Sequence, residues 1–209
     1  MLPIIYHNLL SKRLIAILIA TCLTTVHADS IVDTSSIVLT DENNKQVTIN
    51  SYNGYLKLVF FGYSHCPDVC PLTLFYIASA LKSLENDANK IKVLFISVDP
   101  KRDTPEVLSK YTDAFHKSII GLSGSYDQIM TATSNFRTTF GYNLNEKGKE
   151  KTLSKAEYEE IPTTMNYVPY HSSQLYILDV EGELVDIIGY GSKPEFIAKK
   201  LKQYLELVK

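Results

Sequence analysis

From residue 57 onward the chain alternates short apolar runs with stretches in which apolar positions recur at helical spacing. Lys57-Leu-Val-Phe-Phe61 is an apolar run of the kind buried on both faces of a parallel sheet. Residues 69–86 carry Leu72, Tyr76, Ala80 and Leu84 four apart, which predicts a helix directly after that strand. Lys92–Val98 repeats the strand signal, and Thr104–Phe115 and Tyr126–Phe140 read as helices. Gln174–Leu178 and Leu184–Ile188 form a predicted hairpin around Glu181-Gly182, and Lys193–Val208 closes the chain as an amphipathic helix. Upstream, residues 29–35 read as a lead-in. Ile37–Leu39 and Gln46–Ile49 make a further hairpin through Asp41-Glu-Asn-Asn44.

Strand, helix, strand and helix followed by a hairpin and a helix is the order of an α/β, thioredoxin-like fold, here with an N-terminal hairpin and an extra central helix. There is no internal repeat and no low-complexity tract. Asn143–Asn166, rich in Lys and Glu, interrupts this order as an excursion just before His171, and reads as a solvated hairpin tip rather than a docking surface.

The first residues look like an address. Lys12-Arg13 precede the apolar run Leu14–Leu23, short for a membrane span, and Val26-His27-Ala28 supplies a cleavage pattern. Residues 1–28 are therefore expected to be a signal peptide cut after Ala28, or else an N-terminal membrane anchor, with residues 29–209 as one domain. A lipid attached at Cys22 fits less well, because Thr21 stands where a small residue is usual. Export implies the bacterial periplasm or the periplasmic face of the inner membrane, ahead of the mitochondrial inner membrane.

The whole chain has 21 Lys and Arg against 23 Asp and Glu, and losing Lys12 and Arg13 leaves 19 basic residues against the same 23 acidic ones. That balance offers nothing to a nucleic acid. A domain of this length buries a full core without disulfide staples, so Cys66 and Cys70 call for a chemical reason.

They lie in Gly62-Tyr-Ser-His-Cys66-Pro-Asp-Val-Cys70-Pro71, where a strand gives way to a helix. A step of four puts both sulfurs on one face of a helical turn, and Pro67 and Pro71 are tolerated where first-turn N–H groups lack intrahelical partners. Those N–H groups and the helix dipole favour thiolate. On this spacing alone, a disulfide or two buried thiols are as good a reading as a metal site. Two thiolates and an imidazole would suit Cu(I), or Cu(II) with an added oxygen ligand. His171 is the candidate third ligand, because it precedes a strand expected to run antiparallel to the one that carries the cysteines. His65 is expected to stand behind the ligands at best. His116 reads as a helix-end cation, and Met1, Met130 and Met165 make no methionine cluster.

Three blocks carry a resemblance. Gly62–Pro71, Ser97-Val-Asp-Pro-Lys-Arg-Asp-Thr-Pro-Glu106, and Tyr167…His171-Ser with Leu178-Asp179 resemble, in order, the signatures of the Sco/SenC family of copper chaperones for cytochrome c oxidase assembly. The resemblance implies Cys66, Cys70 and His171 as ligands of one copper ion per chain. It implies Asp99, at the end of a parallel strand, as a residue behind those ligands that orients or tunes them. Asp103 to Glu106, with Thr104 as N-cap and Pro105 at the first helical position, read as no more than a helix start. The implied partners are an apo cytochrome c oxidase copper subunit, into whose dinuclear site copper is delivered, and a copper donor protein. The N-terminus offers a membrane association. A thiol-disulfide oxidoreductase working through Cys66 and Cys70 is the second reading, alongside a chaperone that is not itself an enzyme. A peroxidase is disfavoured by Tyr63, which stands where peroxiredoxins carry Thr or Ser.

Overall fold

The computed structural model describes residues 32–146 and 148–207. The expected leader at residues 1–28 lies outside the described residues. Among those that are described, no helix is long and apolar enough to cross a membrane.

The chain first makes the hairpin β1 (Val38–Asp41) and β2 (Gln46–Thr48), with Asn44 at φ 59° in its turn. It then enters β3 (Leu56–Gly62), buried along its whole length, and passes through α1 (Val69–Ser83) to β4 (Ile91–Ser97). Helix α2 (Pro105–Asp113) follows, with Thr104 accepting the Val107 N–H as its N-cap, then β5 (Ile119–Ser123) and α3 (Tyr126–Asn135). Next come β6 (Phe140–Glu146), β7 (Lys149–Thr152), α4 (Lys155–Glu160) and β8 (Tyr167–His171). The chain closes with β9 (Leu175–Leu178), β10 (Leu184–Ile188) and α5 (Pro194–Leu207).

The main sheet has the order β10-β9-β3-β4-β5-β1-β2. Strands β3, β4 and β5 run parallel at its centre, and β9 joins β3 antiparallel with Phe60 opposite Leu175. Helices α1 and α5 pack on one another, α2 lies along β5, and α3 contacts β1. The continuous apolar runs of β3 and β4 follow from burial on both faces. The exception in β3 is Lys57, fully buried, whose ammonium donates to the carbonyls of Tyr55, Asp179 and Val180 and so ties the β9–β10 turn to the start of β3. Burial lowers its pKa to about 8.

This is the expected thioredoxin-like α/β fold with its added N-terminal hairpin, and it departs from the sequence reading in four places. The third parallel strand, β5, lies between two expected helices where no strand is expected. The buried stripe of α1 is Cys70, Thr73, Leu74, Ile77, Ala80 and Leu81, whereas Leu72 faces solvent, so the inward face is turned from the expected one. The α3 helix ends at Asn135 instead of Phe140, where Arg137 at φ 50° breaks it and Phe140 begins a strand. The expected hairpin tip at 143–166 belongs to a second sheet, order β7-β6-β8, backed by α4. Strand β7 is exposed as expected of a tip, but Leu153 and Tyr158 are buried.

That second sheet is locked by aromatic rings. Tyr142 and Tyr158 stack in parallel with centroids 3.6 Å apart, and Tyr167 meets both edge-on. The Tyr142 hydroxyl donates to the Val98 carbonyl at 2.6 Å, joining β6 to the end of β4. Lys101 donates to the carbonyls of Tyr158, Glu159 and Ile161, capping the end of α4 where unpaired carbonyls favour a cation.

Candidate metal centre

The two cysteines and His171 meet above the end of β3. Gly62, the last residue of that strand, leaves room for them: a Cβ there would lie 2.6 Å from Phe95 and 3.1 Å from Cys70 Sγ. The chain turns at Tyr63–Cys66, where the Cys66 N–H donates to the Tyr63 carbonyl at 3.3 Å, and then enters α1. Cys70 lies in the first turn of α1 and is fully buried, while Cys66, just before the helix, is half-buried. Both are free thiols.

This arrangement splits the two thiols electrostatically. Hydrogen bonding from the Cys70 thiol, then from the backbone of Cys70 and Asp68 and from the Tyr63 hydroxyl, lowers the Cys66 pKa to about 5 against the opposing cost of burial. The Cys70 N–H lies 3.4 Å from Cys66 Sγ. The same hydrogen bond between the two sulfurs, with burial, pushes the Cys70 thiol well up. One proton is thus shared unequally, with the thiolate on the outer sulfur.

His171 ends β8, and the short link to β9 puts it beside the cysteines because β9 runs antiparallel to β3. Its ring packs edge-on against Tyr63 at 5.9 Å and Phe60 at 6.3 Å. The Nδ1 atom lies 3.0 Å from the Ser172 carbonyl, a pure acceptor, so Nδ1 carries the proton and Nε2 keeps its lone pair. Burial lowers the imidazole pKa, which favours the neutral form. That Nε2 stands 3.5 Å from Cys70 Sγ. Two ligands bound at ~2.3 Å (sulfur) and ~2.0 Å (nitrogen) to one ion at a tetrahedral angle are about 3.5 Å apart, so this pair already has the spacing of a shared ion. Among the described residues no three His, Cys, Asp or Glu side chains stand as a complete ligating group. Two sulfurs and one imidazole nitrogen form a soft donor set suited to Cu(I).

Asp99 is buried beneath this site and does not touch the sulfurs. It accepts from the Tyr167 hydroxyl at 2.6 Å and from Arg102 Nε at 2.5 Å, and the Arg102 guanidinium lies over the Tyr167 ring at 4.0 Å. Burial raises the Asp99 pKa, and these two partners oppose the rise. Asp99 therefore acts on the strand that ends in His171. The cysteine loop is held by Asp103, also fully buried, which accepts from the Ser64 N–H at 2.9 Å, the Ser64 hydroxyl at 2.5 Å and the Ser97 hydroxyl at 2.5 Å. Sequence reasoning treated Asp103 only as part of a helix start and Tyr63 only as a point against a peroxidase. Both contribute to the site, and neither residue type nor spacing distinguishes those roles. His65 lies beside Asp103 with Nδ1 at 3.8 Å, and His116 is bound up with its own loop, accepting the Ser118 N–H at 3.1 Å.

The description SCO1/SenC belongs to a family model that matches residues 33–206. A mitochondrial SCO2 protein of Saccharomyces cerevisiae is 32% identical over 169 residues, 80% of this chain and 51% of its own length. An SCO2-like protein of Rickettsia typhi is 31% identical over 160 residues, 77% of this chain and 71% of its own. The chain thus spans about half the length of the budding-yeast relative. Among solved structures, copper-bound ScoI of Bradyrhizobium japonicum is 36% identical at a TM-score of 0.65, covering 80% of this chain and 96% of its own. Copper-bound yeast Sco1 is 29% identical at a TM-score of 0.68, covering 81% and 86%.

Proposed function

This chain belongs to the SCO1/SenC family, and from that premise we propose that it binds copper through Cys66, Cys70 and His171 and passes it on during cytochrome c oxidase assembly. The observation that carries the reading is the convergence of His171 Nε2 on Cys70 Sγ at 3.5 Å, with the Cys66 sulfur hydrogen-bonded to the same thiol. Copper-bound relatives of the same fold support the choice of metal. Copper is the cargo here, and the chain's part is to prepare its three donors. His171 offers a lone pair fixed by Ser172, Cys66 offers a thiolate, and Cys70 gives up one proton to solvent on binding. Three protein donors leave a coordination position open, through which an acceptor's ligands can take the ion.

The acceptor we propose is the dinuclear copper site of an apo cytochrome c oxidase subunit, loaded outside the cytoplasm after a donor protein has supplied the ion. Lys12-Arg13, Leu14–Leu23 and Val26-His27-Ala28 support export to the periplasm or retention at its membrane face. The test is copper stoichiometry: the reduced protein takes up one Cu(I) per chain and the Cys66–Cys70 disulfide form takes up almost none. Equal uptake by both forms rules out thiolate ligation.

The unequal thiols favour a second activity on the same residues. A half-buried thiolate beside a buried, protonated partner is the arrangement of an attacking and a resolving cysteine, which suits reduction of the acceptor's own cysteines.

A further inference from the structure

His65 is the imidazole of the cysteine loop that faces solvent, with 53% of its side chain exposed. Its Nδ1 lies 3.0 Å from the Ser64 hydroxyl oxygen. The single proton of that hydroxyl is committed to Asp103 Oδ1 at 2.5 Å, and Asp103 also takes the Ser64 N–H and the Ser97 hydroxyl. Three donors on a buried carboxylate leave Ser64 Oγ able only to accept from His65. His65 therefore donates through Nδ1–H, which in the neutral ring leaves the lone pair on Nε2. Its tautomer is the one His171 adopts through Ser172, set here by a buried carboxylate acting through one hydroxyl. A hydroxyl and carboxylate behind one ring nitrogen, with the other nitrogen exposed, is the outer-shell pattern of a metal-ligating histidine.

Exposure also sets an order of contact. His65 is exposed, Cys66 is half-buried and Cys70 is closed to solvent. Beside His65 an open cleft is lined by Ser64, Val107, Lys110 and Tyr111.

We propose that His65 is an outer copper contact: an ion arriving from solvent is first held by His65 Nε2 and then passes inward to Cys66, Cys70 and His171. The inference rests on the copper reading above. The transfer is a ligand exchange without redox change: Cu(I) leaves the Nε2 lone pair, bonds the two sulfurs and His171, and the Cys70 proton goes to solvent. On release the same contact serves last.

The experiment uses the reduced full chain and has two readouts. Nitrogen-15 NMR of the copper-free protein reads the His65 tautomer, and stopped-flow mixing with Cu(I) held by bicinchoninate reads the rate of uptake. We expect Nε2 to be unprotonated in the natural protein and Ser64→Ala to lose that preference. His65→Ala should slow uptake about tenfold, the scale of an outer-shell effect, while the equilibrium affinity stays within about twofold. A proton found on Nε2, or an unchanged uptake rate in His65→Ala, overturns the proposal. So does a tenfold loss of equilibrium affinity, which would make His65 a resident ligand. If the natural reduced protein takes no Cu(I), the copper reading fails and takes this inference with it. Cu(I) uptake by the natural protein together with a proton on Nε2, or with an unchanged rate in His65→Ala, fails this inference alone.

Discussion

The Nε2 atom of His171 lies 3.5 Å from the Sγ of Cys70, across a separation of 101 residues in the chain. Removing that nitrogen would take one of the three proposed copper donors and leave both sulfurs in place. His171→Ala is expected to weaken Cu(I) binding by at least ~1.4 kcal/mol, about tenfold. It should still form the Cys66–Cys70 disulfide, with a reduction potential shifted by ~30 mV or less, the same energy for a two-electron couple. Competition with a Cu(I) chelator and a glutathione redox titration check the two halves. Unchanged copper affinity would remove His171 from the ligand set.

The split between the thiols predicts a pH profile for binding. Above the Cys66 pKa of about 5, and with His171 already neutral, the proton displaced by copper is the one on Cys70. Apparent affinity should therefore rise about tenfold per pH unit between about pH 6.5 and 8. A chelator competition series over that range measures the slope, and a flat line argues against ligation by Cys70.

The same split makes the stability of the reduced protein depend on pH. An unfolded thiol titrates near the reference value of 9.0, whereas folded Cys66 titrates near about 5 and folded Cys70 above its reference. Between about pH 5 and 9 the unfolded chain holds one proton more than the folded one, so stability rises with pH and is lost as pH falls through that window. Above about pH 9 the retained Cys70 proton reverses the sign. His171, whose folded pKa is lowered, adds stability that disappears as pH drops below about 6.5. Urea denaturation of the reduced protein at several pH values should show a rise that Cys66→Ser flattens.

Gly62 predicts a packing effect at the site. Its added Cβ would press on the Phe95 ring at 2.6 Å and on Cys70 Sγ at 3.1 Å. Gly62→Ala should cost ~1–3 kcal/mol of stability as overpacking. It should also weaken copper binding, because the sulfur that must move is a proposed ligand. Thermal unfolding together with a copper titration tests both effects, and a variant as stable and as tight as the natural protein would refute the close approach.

Tyr167→Phe removes the hydroxyl that Asp99 accepts at 2.6 Å and keeps the ring under Arg102. A buried carboxylate that loses one donor should cost ~1–3 kcal/mol. The loss should also loosen β8, and with it His171, so hydrogen exchange at residues 167–171 should quicken. Unaltered exchange there would mean that Asp99 supports the fold without positioning the histidine.

The first two parallel strands and the cysteine loop were legible because their signals are local, whereas β5, five residues with Gly121 at its middle, gave too short a run to read between two helices. β3 reads as one continuous apolar run, and Cys66 and Cys70 sit four apart at a strand–helix junction. His171 could be placed from the expected antiparallel course of β9. The excursion was misread because its alternation is diluted by Lys and Glu on its exposed strand, while its anchors Tyr142, Tyr158 and Tyr167 lie far apart in sequence and meet only as a stack. Asp99 and Asp103 share one turn yet grip different parts of the site, a division no sequence pattern encodes.

The antiparallel seating of β9 against β3 also sets when the site can exist. Cys66 and Cys70 emerge early and belong to a locally formed strand–helix unit, whereas His171 arrives only after β9 has closed a loop of about one hundred residues. A chain in which β9 has not yet paired with β3 is thus a dithiol without its histidine, open to oxidation and, on the proposed ligand set, a weaker binder of copper. Copper that reaches such a chain meets two sulfurs without their histidine. Pairing of β9 with β3 is therefore the folding step that completes the proposed ligand set.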